Sequence, residues 1–365
     1  MTTGEEPRRV RVVFVLPSFV GGGAERVVVT FANALPRDRF QVALVVLSGE
    51  GPFRSLVDEH VRVFELGIPR ISRALPKLMA VLRGLGPDVV MASAPHVSMA
   101  LLASPWLLPE RTLVVVREAN LPSLMLPSMR PRPVFAAGYR WLYPRAAVVF
   151  ATSERMREEL IARGSRDQLV VVLPNPVDLE RIRNLANPPT RVPGQGRRFV
   201  AVGRLVPQKG FDRLLPAFAG LPSEDHLTIL GEGSERAALE QQIDALGLTA
   251  RVAMPGFAHN PWTWMAGADA LLMPSRTEGM PNAALESLAC GTPVIATEQS
   301  GGLPEVARQV PTGELVVVDP ADLGAAMLRV AVAPPWPRAS VLPAAFRIVD
   351  ATESLAEWLE RISGS

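Results

Sequence analysis

The sequence predicts two consecutive α/β domains, each a doubly wound parallel sheet. Three observations carry this. Short β-branched apolar runs alternate with segments of helical period along most of the chain. One stretch rich in proline and glycine interrupts that rhythm, and the rhythm then restarts. The chain's 365 residues, 48% hydrophobic and 20% charged, also exceed what one ordinary core takes up.

The first strand is expected at 10–16, where Val12-Val13-Phe14-Val15-Leu16 is apolar without alternation, as in a strand covered on both faces. Further strands are expected at 42–47, 61–65, 89–92, 113–116, 147–151 and 169–173, with helical period over 24–35, 71–83 and 154–163. The segment 187–196, Asn-Pro-Pro-Thr-Arg-Val-Pro-Gly-Gln-Gly, has no apolar period and reads as a linker. Strand-like runs resume at 199–202, 226–230, 252–254, 270–273, 294–296 and 315–318. The expected organisation is a first domain over 1–187, a linker over 188–196 and a second domain over 197–343. The tail, 344–365, has helical period and is expected to pack back across one of the two domains, the first being the candidate.

Composition narrows the function classes. No apolar run approaches the roughly 20 residues that a spanning helix needs. The charged start leads directly into the first strand without the apolar region of a secretory signal. One cysteine, Cys290, excludes an internal disulfide and a cysteine-based zinc site. A cytoplasmic enzyme is expected. Residues 1–190 hold 24 Arg and Lys against 17 Asp and Glu, net +7, leaving 14 against 19, net −5, for 191–365. A basic first half implies an anionic counterpart such as phosphates or lipid headgroups. No nucleic-acid module is recognisable, so a nucleic-acid partner is not expected.

Ligands of doubly wound sheets bind beyond the carboxyl ends of the strands, so motifs there are the candidates. Gly21-Gly22-Gly23 follows the first strand and opens a helix, where bare backbone and a helix N-terminus suit an anion. Gly203-Arg204 and Gln208-Lys209-Gly210 follow the first strand of the second half, and the cations Arg204 and Lys209 suit a diphosphate. Lys209 is one of two lysines among 38 basic residues, the other being Lys77. Gly231-Glu232-Gly233 is a further strand–helix turn that tightness alone explains. After the run 270–273, a loop carries Glu278, and a helix is expected to start near Asn282 as its N-cap, with Glu286 about one turn in. Small and apolar neighbours permit burial of Glu286, whose partner is then either ribose hydroxyls or a cation of the fold.

These pieces, with Asn175-Pro176-Val177-Asp178 and the spacing Glu278-x7-Glu286, resemble the retaining GT-B glycosyltransferases, glycosyltransferase family 4 in particular. They occur in the family's order over residues 12 to about 320. The resemblance implies two Rossmann-like domains facing each other across a cleft, and transfer of a sugar from a nucleotide diphosphate sugar, UDP favoured. It implies that Arg204 and Lys209 neutralise the diphosphate, that Glu286 holds ribose and that Glu278 contacts the donor sugar. Gly203, Gly279, Met280, Pro281, Asn282 and Ala283 would line the sugar and phosphate, and Gly21 to Gly23 would close over the phosphates. No cofactor and no metal is implied, and no Asp-x-Asp is present. Retention would come from same-face attack, with the leaving phosphate accepting the proton.

Family members often have a His at the end of a first-domain strand, near the donor sugar. Here the place after 113–116 reads Arg117-Glu118-Ala119-Asn120, similar to a stretch of some polysaccharide-building relatives. Arg117 and Glu118 are the catalytic candidates there, with Asn120 and His96 as alternatives. Residues 121–145 combine Arg130, Arg132, Arg140 and Arg145 with Phe135, Tyr139, Trp141 and Tyr143. Such a stretch is either a core helix with solvated arginines or a peripheral contact with an anionic membrane, on the inner face of the plasma membrane. The acceptor is expected to be a glycan or a lipid-linked glycan, in cell-surface polysaccharide or glycolipid synthesis. Two other readings stay open from the sequence: a nucleotide-sugar epimerase or other GT-B enzyme, and a non-catalytic protein that binds nucleotide sugars or carbohydrate.

Overall fold

A computed structural model describes residues 8–20, 22–190 and 195–364. The chain divides into two compact units, one made of 1–176 and 348–365, the other of 177–347. The division at Pro176–Val177 lies ahead of the 188–196 stretch, of which 191–194 fall outside the described residues. The helix Leu179–Leu185 decides this, because it buries Ile182 in the apolar cluster of the second unit.

Among the described residues the first unit holds a seven-stranded parallel sheet. Its strands are β1 (Val10–Ser18), β2 (Phe40–Ser48), β3 (Arg62–Glu65), β4 (Val89–Ala92), β5 (Leu113–Arg117), β6 (Val148–Ala151) and β7 (Val170–Val172), in the order 3-2-1-4-5-6-7. The second unit holds β8 (Arg198–Val202), β9 (His226–Leu230), β10 (Val252–Gly256), β11 (Ala270–Met273), β12 (Val294–Thr297) and β13 (Leu315–Val318), in the order 10-9-8-11-12-13. Each strand run expected from the sequence is a strand, and the two parallel sheets are the expected Rossmann-like pair.

The unbroken apolar runs follow from cover on both faces. In β1, Val13 and Val15 enter one cluster while Val12, Phe14 and Leu16 enter the other, the two-residue alternation of a pleated strand. The strand order reverses at β1/β4 and at β8/β11, so each sheet has a switch point with open strand ends.

The helix Ile348–Ser363 belongs to the first unit and sets Ala351, Leu355, Ala356 and Leu359 into the cluster that holds Val28 and Phe31 of the helix Gly23–Ala34. Arg39 clamps it from outside, with Nη1 2.8 Å from Glu353 Oε1 and Nη2 2.7 Å from Glu360 Oε2. No helix among the described residues is long and apolar enough to cross a membrane.

Candidate functional site

In the second unit, the loops that follow β8 and β11 meet at the switch point. Arg276 N–H donates to Gln208 O, and Gln208 Nε2 returns a bond to Thr277 O, both at 2.8 Å. Arg213 braces the second loop from below, with Nε 2.7 Å from Pro274 O and Nη2 2.6 Å from Ser275 O. Arg276 is held in turn by Asp212, in two bonds of 2.6 Å.

Across these loops Lys209 Nζ lies 2.6 Å from Glu278 Oε1, which also accepts from Ser275 Oγ at 2.9 Å. Glu278 is only 8% exposed, so a partner is required, and the ammonium supplies a charged one. Gly203 makes room for Lys209: a Cβ there would sit 3.2 Å from its Cδ. Gly210, at φ +69°, could carry no side chain, since a Cβ would meet Pro274 O at 2.0 Å. The side chain of Arg204 stands exposed, with no hydrogen bond or ion pair to any described residue, while its carbonyl accepts from Val206 N–H at 2.9 Å.

Gly231 and Gly233 serve the same loops from behind. A Cβ at Gly231 would meet Gly203 O at 1.9 Å, and one at Gly233 would meet Leu205 O at 2.3 Å. Their requirement for glycine is close backbone packing, which turn formation alone did not reveal.

The helix after β11 runs Asn282–Ala289, with Pro281 rather than Asn282 at the N-cap position and no capping side chain. Gly279, Met280 and Pro281 are buried ahead of it, while Asn282 and Ala283 are half-buried on its first turn. Gly279 O accepts from Gly302 N–H at 2.8 Å, and Gly301, at φ +67°, packs so closely that a Cβ would reach Gly279 O at 1.9 Å. Glu286 is 6% exposed, and its Oε2 accepts from the indole Nε1 of Trp262 at 2.9 Å. Burial and then the charge of Glu286 push the Cys290 thiol up to about 12, so it stays protonated and inert.

In the first unit Gly21 lies outside the described residues. Gly22 N–H donates to the Glu25 carboxylate at 2.9 Å, and Gly23 is exposed at the helix start. Arg117 ends β5 and Glu118 follows it, both 1% exposed. Arg117 Nη2 donates to Asn175 Oδ1 at 2.5 Å, whereas its Nε and Nη1 have no hydrogen-bond partner among the described residues. Burial lowers this guanidinium to about 10. Glu118 accepts from the Tyr143 hydroxyl, and burial raises its carboxyl to about 8. The Tyr143 ring packs at 4.6 Å, tilted by 45°, against Tyr139 of the helix Arg132–Trp141. Both side chains are thus buried at the end of β5, where a role in orienting a ligand would be exerted from beneath the surface. His96 is half-buried on the helix Pro95–Ala103, and burial lowers its pKa; Asn120 is half-buried in a bend.

Sequence reasoning did not single out Asp212, Arg213, Ser275 or Trp262. Ser275, three residues before Glu278, carried the one local signal. The others reach the site from separate loops and helices.

Comparison with known proteins follows the same division. Residues 21–181 match the model of Glycosyltransferase Family 4, and residues 184–333 match that of the glycosyl transferases group 1. The chain is 29% identical over 315 residues to a Campylobacter jejuni enzyme, N-acetylgalactosamine-N,N'-diacetylbacillosaminyl-diphospho-undecaprenol 4-alpha-N-acetylgalactosaminyltransferase, covering 83% of this chain and 84% of that one. It is 27% identical over 288 residues to the lipopolysaccharide core biosynthesis glycosyltransferase LpsE of Rhizobium meliloti, covering 77% of each. Among solved structures, Anabaena HepE in complex with UDP-glucose has the same fold, with a TM-score of 0.75 at 22% identity over 97% of this chain and all of that one.

Proposed function

We propose that this enzyme, a glycosyltransferase whose two halves belong to Glycosyltransferase Family 4 and to the glycosyl transferases group 1, transfers a sugar with retention from a UDP-sugar to a glycan or lipid-linked acceptor. The observation that carries the reading is the Lys209–Glu278 pair at the β8/β11 switch point, with Glu286 eight residues further on. The names of the relatives support the substrate class: one acts on an undecaprenol-linked glycan, another in lipopolysaccharide core synthesis, and a structural neighbour holds UDP-glucose.

In this reading, Arg204 and Lys209 neutralise the diphosphate as the bond from the anomeric carbon to the β-phosphate oxygen breaks. The acceptor hydroxyl attacks the same face, and its proton passes to that departing oxygen, so no protein nucleophile is needed. In this reading the step is assigned to the protein's own charges, and no metal is given a part in it. Glu278, held by Ser275, meets a hydroxyl of the donor sugar, and Glu286 accepts from ribose. The first turn of the helix Asn282–Ala289, behind Gly279 to Pro281, offers N–H groups to phosphate.

Arg117 and Glu118 set the floor beneath the acceptor, with Asn120 and His96 nearer the surface. The first unit would also rest on anionic lipid. Trp106 and Trp141 are 74% and 66% exposed, and Arg140 stacks over the Trp141 ring at 5.3 Å. A panel of nucleotide sugars offered to the purified enzyme tests the reaction: slow nucleotide release from one donor identifies it, and no release or binding from any of them defeats it.

A further inference from the structure

A buried carboxylate must be aimed before it can select a ligand, and Glu286 is aimed from another loop. Its own helix surrounds it with Ala284, Leu285, Leu288 and Ala289, all fully buried and none able to donate a side-chain hydrogen bond. A side-chain donor comes from Trp262, which opens the helix Trp262–Gly267 beyond β10 and reaches Oε2 with its indole N–H at 2.9 Å. The backbone on either side of Trp262 is fixed. Its N–H donates to Asn260 Oδ1 at 3.3 Å, Asn260 Nδ2 holds Leu185 O at 2.6 Å, and Thr263 O accepts from Thr190 N–H at 2.9 Å. The ring itself packs into the apolar cluster of the second unit.

An indole N–H is a donor only. It occupies one lone pair of the carboxylate and fixes its plane while adding no positive charge. An arginine or lysine in that place would form a charge-assisted pair and compete with any hydroxyl for the same oxygens.

We infer that Trp262 is the positioning residue that presents Glu286 to the ribose hydroxyls, so that selection of a ribonucleotide over a 2'-deoxyribonucleotide runs through its indole N–H. This rests on the nucleotide-sugar reading of the site. The full chain, its Trp262→Phe and Glu286→Gln variants and the double variant are titrated calorimetrically with UDP and with 2'-deoxy-UDP. Unaltered enzyme is expected to prefer UDP by at least about tenfold, the scale of a hydrogen bond to a charged acceptor. Trp262→Phe keeps an aromatic ring and is expected to weaken UDP about tenfold while changing 2'-deoxy-UDP less than about twofold. In the Glu286→Gln background the same change is expected to have no further effect.

Equal weakening of both ligands by Trp262→Phe, or an unchanged ratio, overturns the inference in favour of a packing role. Should the variant not fold, the unaltered enzyme decides: with tryptophan indoles labelled by nitrogen-15, one signal must shift with UDP and not with 2'-deoxy-UDP, and failure to do so overturns the inference. If UDP does not bind, GDP and 2'-deoxy-GDP replace the pair. Binding of neither diphosphate defeats the nucleotide-sugar reading itself, whereas binding without ribose selection defeats only the aim assigned to Glu286 and Trp262.

Discussion

The ammonium of Lys209 and the carboxylate of Glu278 are 2.6 Å apart, so the lysine expected to meet phosphate and the acid expected to meet sugar neutralise each other before a donor arrives. Each loop thereby positions the other's functional group. A diphosphate that draws Lys209 towards itself still leaves Glu278 its bond from Ser275.

Replacing Lys209 by Met removes the charge and leaves Glu278 buried beside a thioether. Turnover is expected to fall roughly 10²- to 10³-fold, the scale of a lost group that stabilises developing charge. Glu278→Gln, isosteric but uncharged, is expected to lower kcat about tenfold or more with less effect on the donor KM. Steady-state kinetics separate the two, and values within about twofold of the unaltered enzyme would remove both residues from the reaction.

Arg204 differs from Lys209 in having no structural duty. Arg204→Ala is expected to leave thermal stability within about 0.5 kcal/mol, as surface changes usually do. Donor KM should rise about tenfold, and the salt dependence of donor binding should flatten as one screened charge is lost. Unchanged KM at low salt would place the diphosphate elsewhere.

Glu118 gives the first unit a pH signature. Its carboxyl is raised to about 8 by burial, above its ordinary value of 4.5. The folded state thus keeps a proton that the unfolded state has lost. The stability contributed is complete below about 4.5 and is lost as pH climbs through about 8. Thermal melts across that window are expected to fall by several degrees, and Glu118→Gln, which cannot ionise, is expected to flatten the slope. A slope unaltered in that variant would mean that another group carries the proton.

Gly301 is a steric prediction. Its φ of +67° and the 1.9 Å that would separate a Cβ from Gly279 O leave no space for alanine. Gly301→Ala is expected to displace the segment before the helix Asn282–Ala289, raising donor KM and costing about 1 kcal/mol or more in stability. Calorimetry and donor titration together check it, and a neutral outcome in both would show the segment to be unimportant.

Membrane contact is tested by flotation with vesicles of phosphatidylglycerol against vesicles of phosphatidylcholine. Binding to the anionic vesicles alone, reduced by Trp141→Ser and by raised salt, is the expected outcome. Equal flotation of the variant would exclude the Trp141 face.

The strands were legible because parallel sheets bury both faces, and a fully apolar run such as Val12 to Leu16 fits a strand covered on both sides. Part of the candidate site was legible for a related reason: Arg204, Lys209 and Glu278 stand in the loops that follow β8 and β11, and Glu286 on the helix beyond. Burial of Arg117 and Glu118 was not, because the cover over Glu118 comes from Tyr139 and Tyr143, more than twenty residues away. The place of the helix Leu179–Leu185 was not legible either, because its ownership depends on which cluster accepts Ile182.

The return of the helix Ile348–Ser363 to the first unit reverses the order in which the molecule can be finished during synthesis. A chain emerging from the ribosome makes residues 1–176 first, yet their apolar layer around Val28 and Phe31 waits for Leu355 and Leu359. Residues 177–347 are contiguous and complete themselves earlier. At about 5–20 residues per second, the open layer persists on the order of ten to thirty seconds on each nascent chain. The first half translated is the last half closed, and that interval is when the chain most needs a chaperone.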